Sequence, residues 1–202
     1  MPSTHAFDED LLGWEVDHFH EWGLEARGIR LSSADAHTFT EAAHYLASTI
    51  ASWPRAFVHR DYQSTNLMVR GGSNGSADLI WIDFQDALLG PRVYDLVALL
   101  SDSYQTFTRE FIEARLDEYA QHHGLDDAGR RDVGREFDIV TVQRKLKDAG
   151  RFVYIDRVRG NPNFLQFVEP TIDKVHGALH RLAGDPILDR LSALLERSLP
   201  KR

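Results

Sequence analysis

Between two long stretches of helix-period sequence lies a short island in which the apolar residues come in β-type runs, and this change of period restricts the fold most. Before the island, Asp8-Glu9-Asp10 supply acids suited to a helix N-terminus, and Leu12, Val16, Phe19 and Trp22 follow at helical spacing, so residues 8–23 read as a helix. After the start signal at Ser33 to Asp35, Phe39, Ala43, Leu46, Ile50 and Trp53 recur at steps of three and four until Pro54 ends the helix. Then the period shortens. Phe57-Val58 reads as a strand running into His59, and Leu67-Met68-Val69 as a second. Gly71-Gly72-Ser73-Asn74-Gly75-Ser76 is a turn, and Leu79-Ile80-Trp81-Ile82 returns as the other half of a hairpin. Gly90-Pro91 closes the island.

From Val93 onward the pattern is helical again. Leu96, Leu99 and Leu100 line one helix; Phe111, Ile112, Leu116 and Tyr119 line the next, which His123-Gly124 stops. Asp138 to Arg151 forms another, burying Ile139, Val142, Leu146 and Ala149. Asn161-Pro162-Asn163 marks a turn, then a helix over Ile172, Val175, Leu179 and Leu182 ends at Gly184, and Leu188, Leu191 and Leu195 carry the last. The fold class is α+β, mainly helical, with one small β-hairpin region.

At 202 residues the chain is expected to be one domain, 1–202, with residues 1–7 a loose N-terminal segment. The absence of cysteine excludes disulfides, thiolate nucleophiles and Cys-based metal sites, and fits a reducing, cytoplasmic setting. A formal charge of −8 makes nucleic acid a poor partner. No run approaches the roughly 18 apolar residues of a membrane-spanning helix, and Met1-Pro2-Ser3-Thr4-His5 lacks the blocks of a signal peptide, so no membrane association is expected.

The chemistry-bearing residues sit inside the island. His59-Arg60-Asp61-Tyr62-Gln63-Ser64-Thr65-Asn66 fits H-R-D-x-x-x-x-N, and Ile82-Asp83-Phe84 ends the return strand. By itself His-Arg-Asp is also what a surface salt bridge or turn cap provides. Placed between a strand and a hairpin, with Asp-Phe arriving on the next strand, the set suits phosphoryl transfer, in which the protein positions an acceptor and neutralises phosphate charge. Asp61 could take the acceptor hydroxyl's proton, and Asn66 and Asp83 are oxygen donors of the kind Mg²⁺ prefers.

At these residues the sequence resembles the kinase superfamily, and more narrowly the aminoglycoside phosphotransferase family of small-molecule kinases. Gln63 stands where protein Ser/Thr kinases usually carry lysine, and Gln85 replaces the glycine of Asp-Phe-Gly. Only about ten residues separate Asp83 from the helix near Val93, too few for an activation segment. Within the family, the resemblance is strongest to the anomeric kinases of cell-wall amino sugars. It is carried by Val58 to Met68, by Trp81-Ile82-Asp83-Phe84-Gln85-Asp86-Ala87, by Gly90-Pro91-Arg92-Val93-Tyr94-Asp95-Leu96 and by Gln143-Arg144-Lys145-Leu146-Lys147. The resemblance implies ATP and Mg²⁺ as cofactors, Asp61 as base within a catalytic loop that includes His59 and Arg60, and Asn66 and Asp83 as cofactor and Mg²⁺ ligands. It also implies Asp95 as a buried brace of that loop, although a helix N-terminal charge would explain Asp95 equally well. The acceptor would be N-acetylmuramate or N-acetylglucosamine in peptidoglycan recycling.

Candidate substrate contacts are Gln63, Asp86, Arg144 and Lys147. Arg144, Lys147 and Arg151 share one helix face, a positive stripe able to hold a sugar carboxylate, although such a face is usually solvated and Asp148 is near enough to pair with it. His176 and His180 have metal-ligand spacing but no third ligand, and a solvated face explains them better. Trp14, Trp22, Trp53 and Trp81 fit packing better than a sugar platform, although one at a cleft edge could do both.

The family's ATP-gripping N-terminal lobe is expected to be absent, leaving a kinase-like C-terminal lobe. No G-x-G-x-x-G or G-x-x-x-x-G-K occurs, and no lysine precedes Lys145. Apolar surface left open near Phe7, Leu11, Leu12 or the Trp81 hairpin would then invite self-association or a separate N-lobe partner. The competing readings are a non-catalytic kinase-derived sugar-binding or interaction module, an aminoglycoside O-phosphotransferase, and a metal-dependent hydrolase built on the same oxygens.

Overall fold

The computed structural model describes residues 5–71 and 77–199. Helices α1 (Glu9–His18) and α2 (Ser33–Ser52) precede the β island, and α3 (Tyr94–Leu100), α4 (Arg109–His122), α5 (Asp127–Arg159), α6 (Val168–Arg181) and α7 (Pro186–Ser198) follow it. Side-chain caps fix the starts. Asp8 accepts a hydrogen bond from the Leu11 amide at 2.9 Å, and the Ser32 hydroxyl oxygen accepts one from the Asp35 amide at 3.1 Å. Each satisfies an N–H that the first helical turn leaves without a partner. The turn expected at Asn161-Pro162-Asn163 opens a short 3-10 segment, Pro162–Phe167. No helix among the described residues is long and apolar enough to cross a membrane.

The island holds two antiparallel pairs. β2 (Leu67–Gly71) pairs with β3 (Ala77–Trp81), Leu67 opposite Trp81, as the expected hairpin; residues 72–76 of its turn lie outside the described residues. β1 (Arg55–Val58) pairs instead with β4 (Leu88–Pro91), Val58 opposite Leu88. That fourth strand was not expected, because Gly90-Pro91 reads as punctuation. Proline is tolerated here at the strand's end, and a Cβ at Gly90 would stand 2.7 Å from the Phe7 ring, so glycine is what lets that ring approach.

Phe7 also corrects the expectation of a loose segment over residues 1–7, as far as the described residues reach. Its amide donates to the Leu89 carbonyl at 2.8 Å, and the Leu89 amide donates to the His5 carbonyl at 3.1 Å. The Phe7 ring is buried 4.4 Å from Tyr94. Burying a phenylalanine contributes about 1.5–3 kcal/mol, which together with the two backbone hydrogen bonds opposes the ordering entropy of this short segment. Leu12 is buried as well, so the apolar surface expected around Phe7 and Leu12 is closed. The hairpin is different: Met68, Val69, Leu79, Trp81 and Phe84 are all exposed.

The other correction concerns α5. The apolar spacing gave a helix over Asp138–Arg151, whereas α5 has 33 residues. Gly129 and Gly134 hide its first turns from a pattern reading, since glycine costs a helix about 1 kcal/mol relative to alanine. Asp126 offsets part of that by accepting a hydrogen bond from the Gly129 amide at 2.9 Å. Packing with α1, α2, α3, α4 and α6 supplies the rest. Because α5 runs through the middle of the molecule, Thr141, Gln143, Arg144 and Lys145 are buried alongside Ile139, Val142 and Leu146. Of the stripe expected to be solvated, Arg144 is interior and Lys147 half-buried, and Arg151 alone is exposed.

Where α5 crosses the end of α1, the first helix loosens into a π-type turn over Phe19–Leu24. A Cβ on Gly150 would lie 2.9 Å from both the His18 carbonyl oxygen and the Phe19 Cα, which are backbone atoms that cannot swing aside. Gly150→Ala is therefore expected to lower stability by about 1–2 kcal/mol, the ~1–3 kcal/mol of overpacking exceeding alanine's helix advantage. Urea unfolding checks this, and a variant as stable as the parent would show that the two helices are free to separate.

Candidate active site

The loop that leaves β1 is built around a residue in an unfavourable conformation. Arg60 has φ 75°, a left-handed setting that costs a non-glycine residue about 1–3 kcal/mol. Three contacts hold it there. Asp95, in the first turn of α3, accepts from the backbone amides of His59 (2.7 Å) and Arg60 (3.0 Å). From the other side, Arg144 of α5 donates to the Arg60 carbonyl at 2.8 Å. The Arg60 side chain is fixed by Glu15 of α1 at 3.2 Å and lies over the Phe7 ring. Glu15 is itself buried and takes a second hydrogen bond from Gln143 at 2.9 Å. Asp95 is thus both a helix N-terminal charge and a brace of the loop. Burial pushes its carboxyl up, while the two amides and Arg144 oppose that shift.

These restraints turn Asp61 toward a cleft of about 390 Å³ between the loop, α1 and α5. Its side chain is 38% exposed and 3.7 Å from the Arg144 guanidinium. The Asp61 carbonyl accepts from the Gln63 amide and from Nδ2 of Asn66, both at 2.9 Å. That contact uses the Asn66 amide nitrogen and leaves its amide oxygen out of the bond. Downstream, Asp102 pins Ser64 through its amide (3.1 Å) and hydroxyl (2.6 Å), and takes the Tyr104 amide at 2.9 Å. Lys174 donates to the carbonyls of Asp102 and Gln105.

Hairpin register brings Asn66 and Asp83 together. The Ile82 amide donates to the Asn66 carbonyl at 3.1 Å, so Asp83 is the next residue along the opposite strand. Asp83 also has a left-handed backbone, φ 68°, and Gln85 donates to its carboxylate at 2.9 Å, leaving that carboxylate exposed. An asparagine amide oxygen beside an aspartate suits Mg²⁺, which binds through one or two protein oxygens and keeps the rest of its octahedron for phosphate and water.

Of the residues expected at a site, Arg60, Asp61, Gln63, Asp86, Arg144 and Lys147 line the one cleft, while Asn66 and Asp83 are not among its lining residues and stand at the hairpin base. His59 does not reach it: the residue is buried, its ring edge-on to Tyr62. Arg144 is also not a surface cation awaiting a ligand. Its side chain is 3% exposed, stacked 4.8 Å above Tyr94 and committed to the Arg60 carbonyl. The stripe is tied together by Asp148, which meets Lys145 at 2.8 Å, Lys147 at 3.3 Å and Arg144 at 3.9 Å. Burial alone would raise the Asp148 carboxyl; the three cations outweigh it and hold it well below the usual carboxylate range. Lys145 is pushed down to about 8 by burial, with Asp148 opposing. Glu15 and Asp102 were not anticipated, because each acts across 38 or more residues of chain, whereas Asp148 pairs with the stripe as its position in the helix suggests. His176 is buried and His180 exposed.

The sequence matches the family model of the phosphotransferase enzyme family over residues 3–133, more than half of the chain. Three curated relatives are each named N-acetylmuramate/N-acetylglucosamine kinase. The protein from Pseudomonas putida is 33% identical over 79% of this chain and 47% of its own length. That from Pseudomonas aeruginosa is 32% identical over 97% of this chain and 57% of its own, and that from Neisseria meningitidis serogroup B is 30% identical over 91% and 59%. The chain spans about half the length of the curated relatives it matches.

Proposed function

The chain belongs to the phosphotransferase enzyme family, and we propose that it is the catalytic, acceptor-holding lobe of a cytoplasmic amino-sugar kinase that phosphorylates the anomeric hydroxyl of N-acetylmuramate or N-acetylglucosamine with ATP. The observation that carries this reading is Asp61, held at the mouth of a cleft by a loop whose strained Arg60 is braced from α1, α3 and α5. A bound acceptor hydroxyl would give its proton to the Asp61 carboxylate as its oxygen attacks the γ-phosphorus, and the bond from that phosphorus to the ADP oxygen breaks. His59 and Arg60 act in the loop's shape, and Arg144 sets Asp61 through the Arg60 carbonyl. Gln63, Asp86 and Lys147 line the space for the sugar.

Asn66 and Asp83 would hold Mg²⁺, which supplies neutralisation of the charge on the transferred phosphoryl group. The exposed apolar hairpin face, with Trp81 and Phe84, lies beside those two residues and suits a nucleotide base or a separate N-lobe.

The test is ³¹P NMR of the chain with Mg-ATP and each sugar, run beside equilibrium sugar binding. A sugar 1-phosphate is expected. Binding without turnover, unchanged in Asp61→Ala, would make this a non-catalytic sugar-binding module. Preferential phosphorylation of an aminoglycoside would move it to that acceptor class, and neither product nor sugar binding would sink the reading.

A further inference from the structure

The far wall of the Asp61 cleft joins an exposed indole to an arginine. Trp14 is 60% exposed although α1 buries Leu12 and Val16, and it lines the same cleft as Asp61. Packing alone therefore does not account for it, and Trp14 is a tryptophan at a cleft edge. One turn on, His18 lies under its ring, centroids 5.8 Å apart and planes at 30°, and is backed by Tyr154 at 5.5 Å. The His18 Nε2 is buried with no hydrogen-bond partner among the described residues.

Across the cleft, α5 presents Arg144, Lys147 and Arg151 on one stripe. Arg144 is committed to the loop and Lys147 to Asp148. Arg151 forms no ion pair among the described residues; its guanidinium lies over Tyr154 at 5.0 Å. His18 and Arg151 thus lie against the same Tyr154 ring, and burial first, then the Arg151 charge, lowers the pKa of His18. An apolar platform, an unpartnered ring nitrogen and a cation with no anion of its own among the described residues thus meet in one end of one cleft.

We propose that Trp14 and Arg151 form the acceptor-specificity subsite, the indole taking the flat face of a pyranose and the guanidinium a carboxylate carried on the sugar. The subsite favours an acidic amino sugar over its neutral counterpart, and it rests on the reading of the cleft as the acceptor site of a sugar kinase. A pyranose presents a face of C–H groups that an aromatic ring desolvates well, and a carboxylate meeting a guanidinium forms charge-assisted hydrogen bonds. N-acetylmuramate bears such a carboxylate on its lactyl group; N-acetylglucosamine has a hydroxyl there.

Isothermal titration of the chain with the two sugars tests this. N-acetylmuramate is expected to bind about tenfold tighter, the scale of one charge-assisted hydrogen bond. Arg151→Gln should erase the difference by weakening the acidic sugar alone, and Arg151→Lys should restore part of it. Trp14→Ala should weaken both sugars by a similar factor while Trp14→Phe keeps most of the affinity. Both side chains lie at the cleft surface, so unchanged thermal melts are expected and confirm that the fold is kept. A preference that survives Arg151→Gln, equal binding of both sugars by the parent chain, or affinities indifferent to Trp14→Ala would each overturn the subsite and leave the kinase reading standing. If the parent chain binds neither sugar, the amino-sugar reading itself falls, and the subsite with it.

Discussion

Replacing Asp61 by asparagine is expected to cut the rate of sugar phosphorylation by about 10²–10⁴, the usual contribution of a positioned general base. The substitution keeps the size of the side chain and most of its polarity but removes its capacity to take a proton. It should also leave the loop intact, because the loop is held by Asp95, Arg144 and Asp102, and the hydrogen bonds it makes to Asp61 end on the carbonyl, not on the carboxylate. The nearest cation to that carboxylate, Arg144, is 3.7 Å away and is anchored independently on the Arg60 carbonyl. The loss should thus fall on kcat, with KM for the sugar changing by no more than about threefold and the urea midpoint unmoved. Steady-state kinetics beside an unfolding curve make the check. A kcat within about threefold of the parent would remove Asp61 from the proton transfer. A large loss accompanied by an equally large fall in stability would show that the carboxylate shapes the loop instead.

Much of this site was legible because its residues are local. His59 to Asn66 is one loop, and the return strand that brings Asp83 beside Asn66 follows from a hairpin whose two strands read directly from the period. What was illegible is long-range or conformational. Nothing in the spelling of Arg60 or Asp83 announces a left-handed backbone, since glycine is the residue that usually does. Glu15 sits among the acids of the first helix and reads as one more solvated charge; it is buried because Arg60 and Gln143, 45 and 128 residues away, converge on it. The α5 stripe misled for a related reason. A helix with one apolar face is expected to lie on a surface, but α5 is surrounded, so its polar face had to be neutralised internally. Trp14 was legible only in part: its residue type allows both packing and a cleft-edge role, and only the structure shows which ring stands in the cleft.

That internal neutralisation makes Asp148 the residue whose loss the fold should tolerate least. Asp148→Asn leaves Lys145, buried to 2% side-chain exposure, together with Lys147 and Arg144 and no anion between them. Breaking a buried pair from one side costs about 3–5 kcal/mol, which in a chain of this size lowers Tm by roughly 10 °C. The cost should depend on pH in a way that identifies its origin. In the parent the Asp148 carboxyl is depressed on folding, so its stabilisation is complete above the unfolded value of about 3.9 and is lost as pH falls below it. Lys145 is depressed too, to about 8, so the unfolded chain holds more protons than the folded one between there and its ordinary value of about 10.4. Stability therefore rises with pH across that window. Without Asp148, the Lys145 ammonium loses the neighbour that raised its pKa and gives up its proton at lower pH. The variant's folded state then escapes part of its penalty by neutralising the lysine. The gap between parent and variant should be widest just above about pH 4 and should narrow as pH falls below that. It should narrow again on the way up to about pH 8, above which both folded proteins hold Lys145 neutral and the gap stays at its smaller value. Urea unfolding at pH 3, 6 and 10 measures it. A gap that is flat across those three values would mean that Asp148 acts by packing and hydrogen bonding alone, with the charges of α5 screened by solvent.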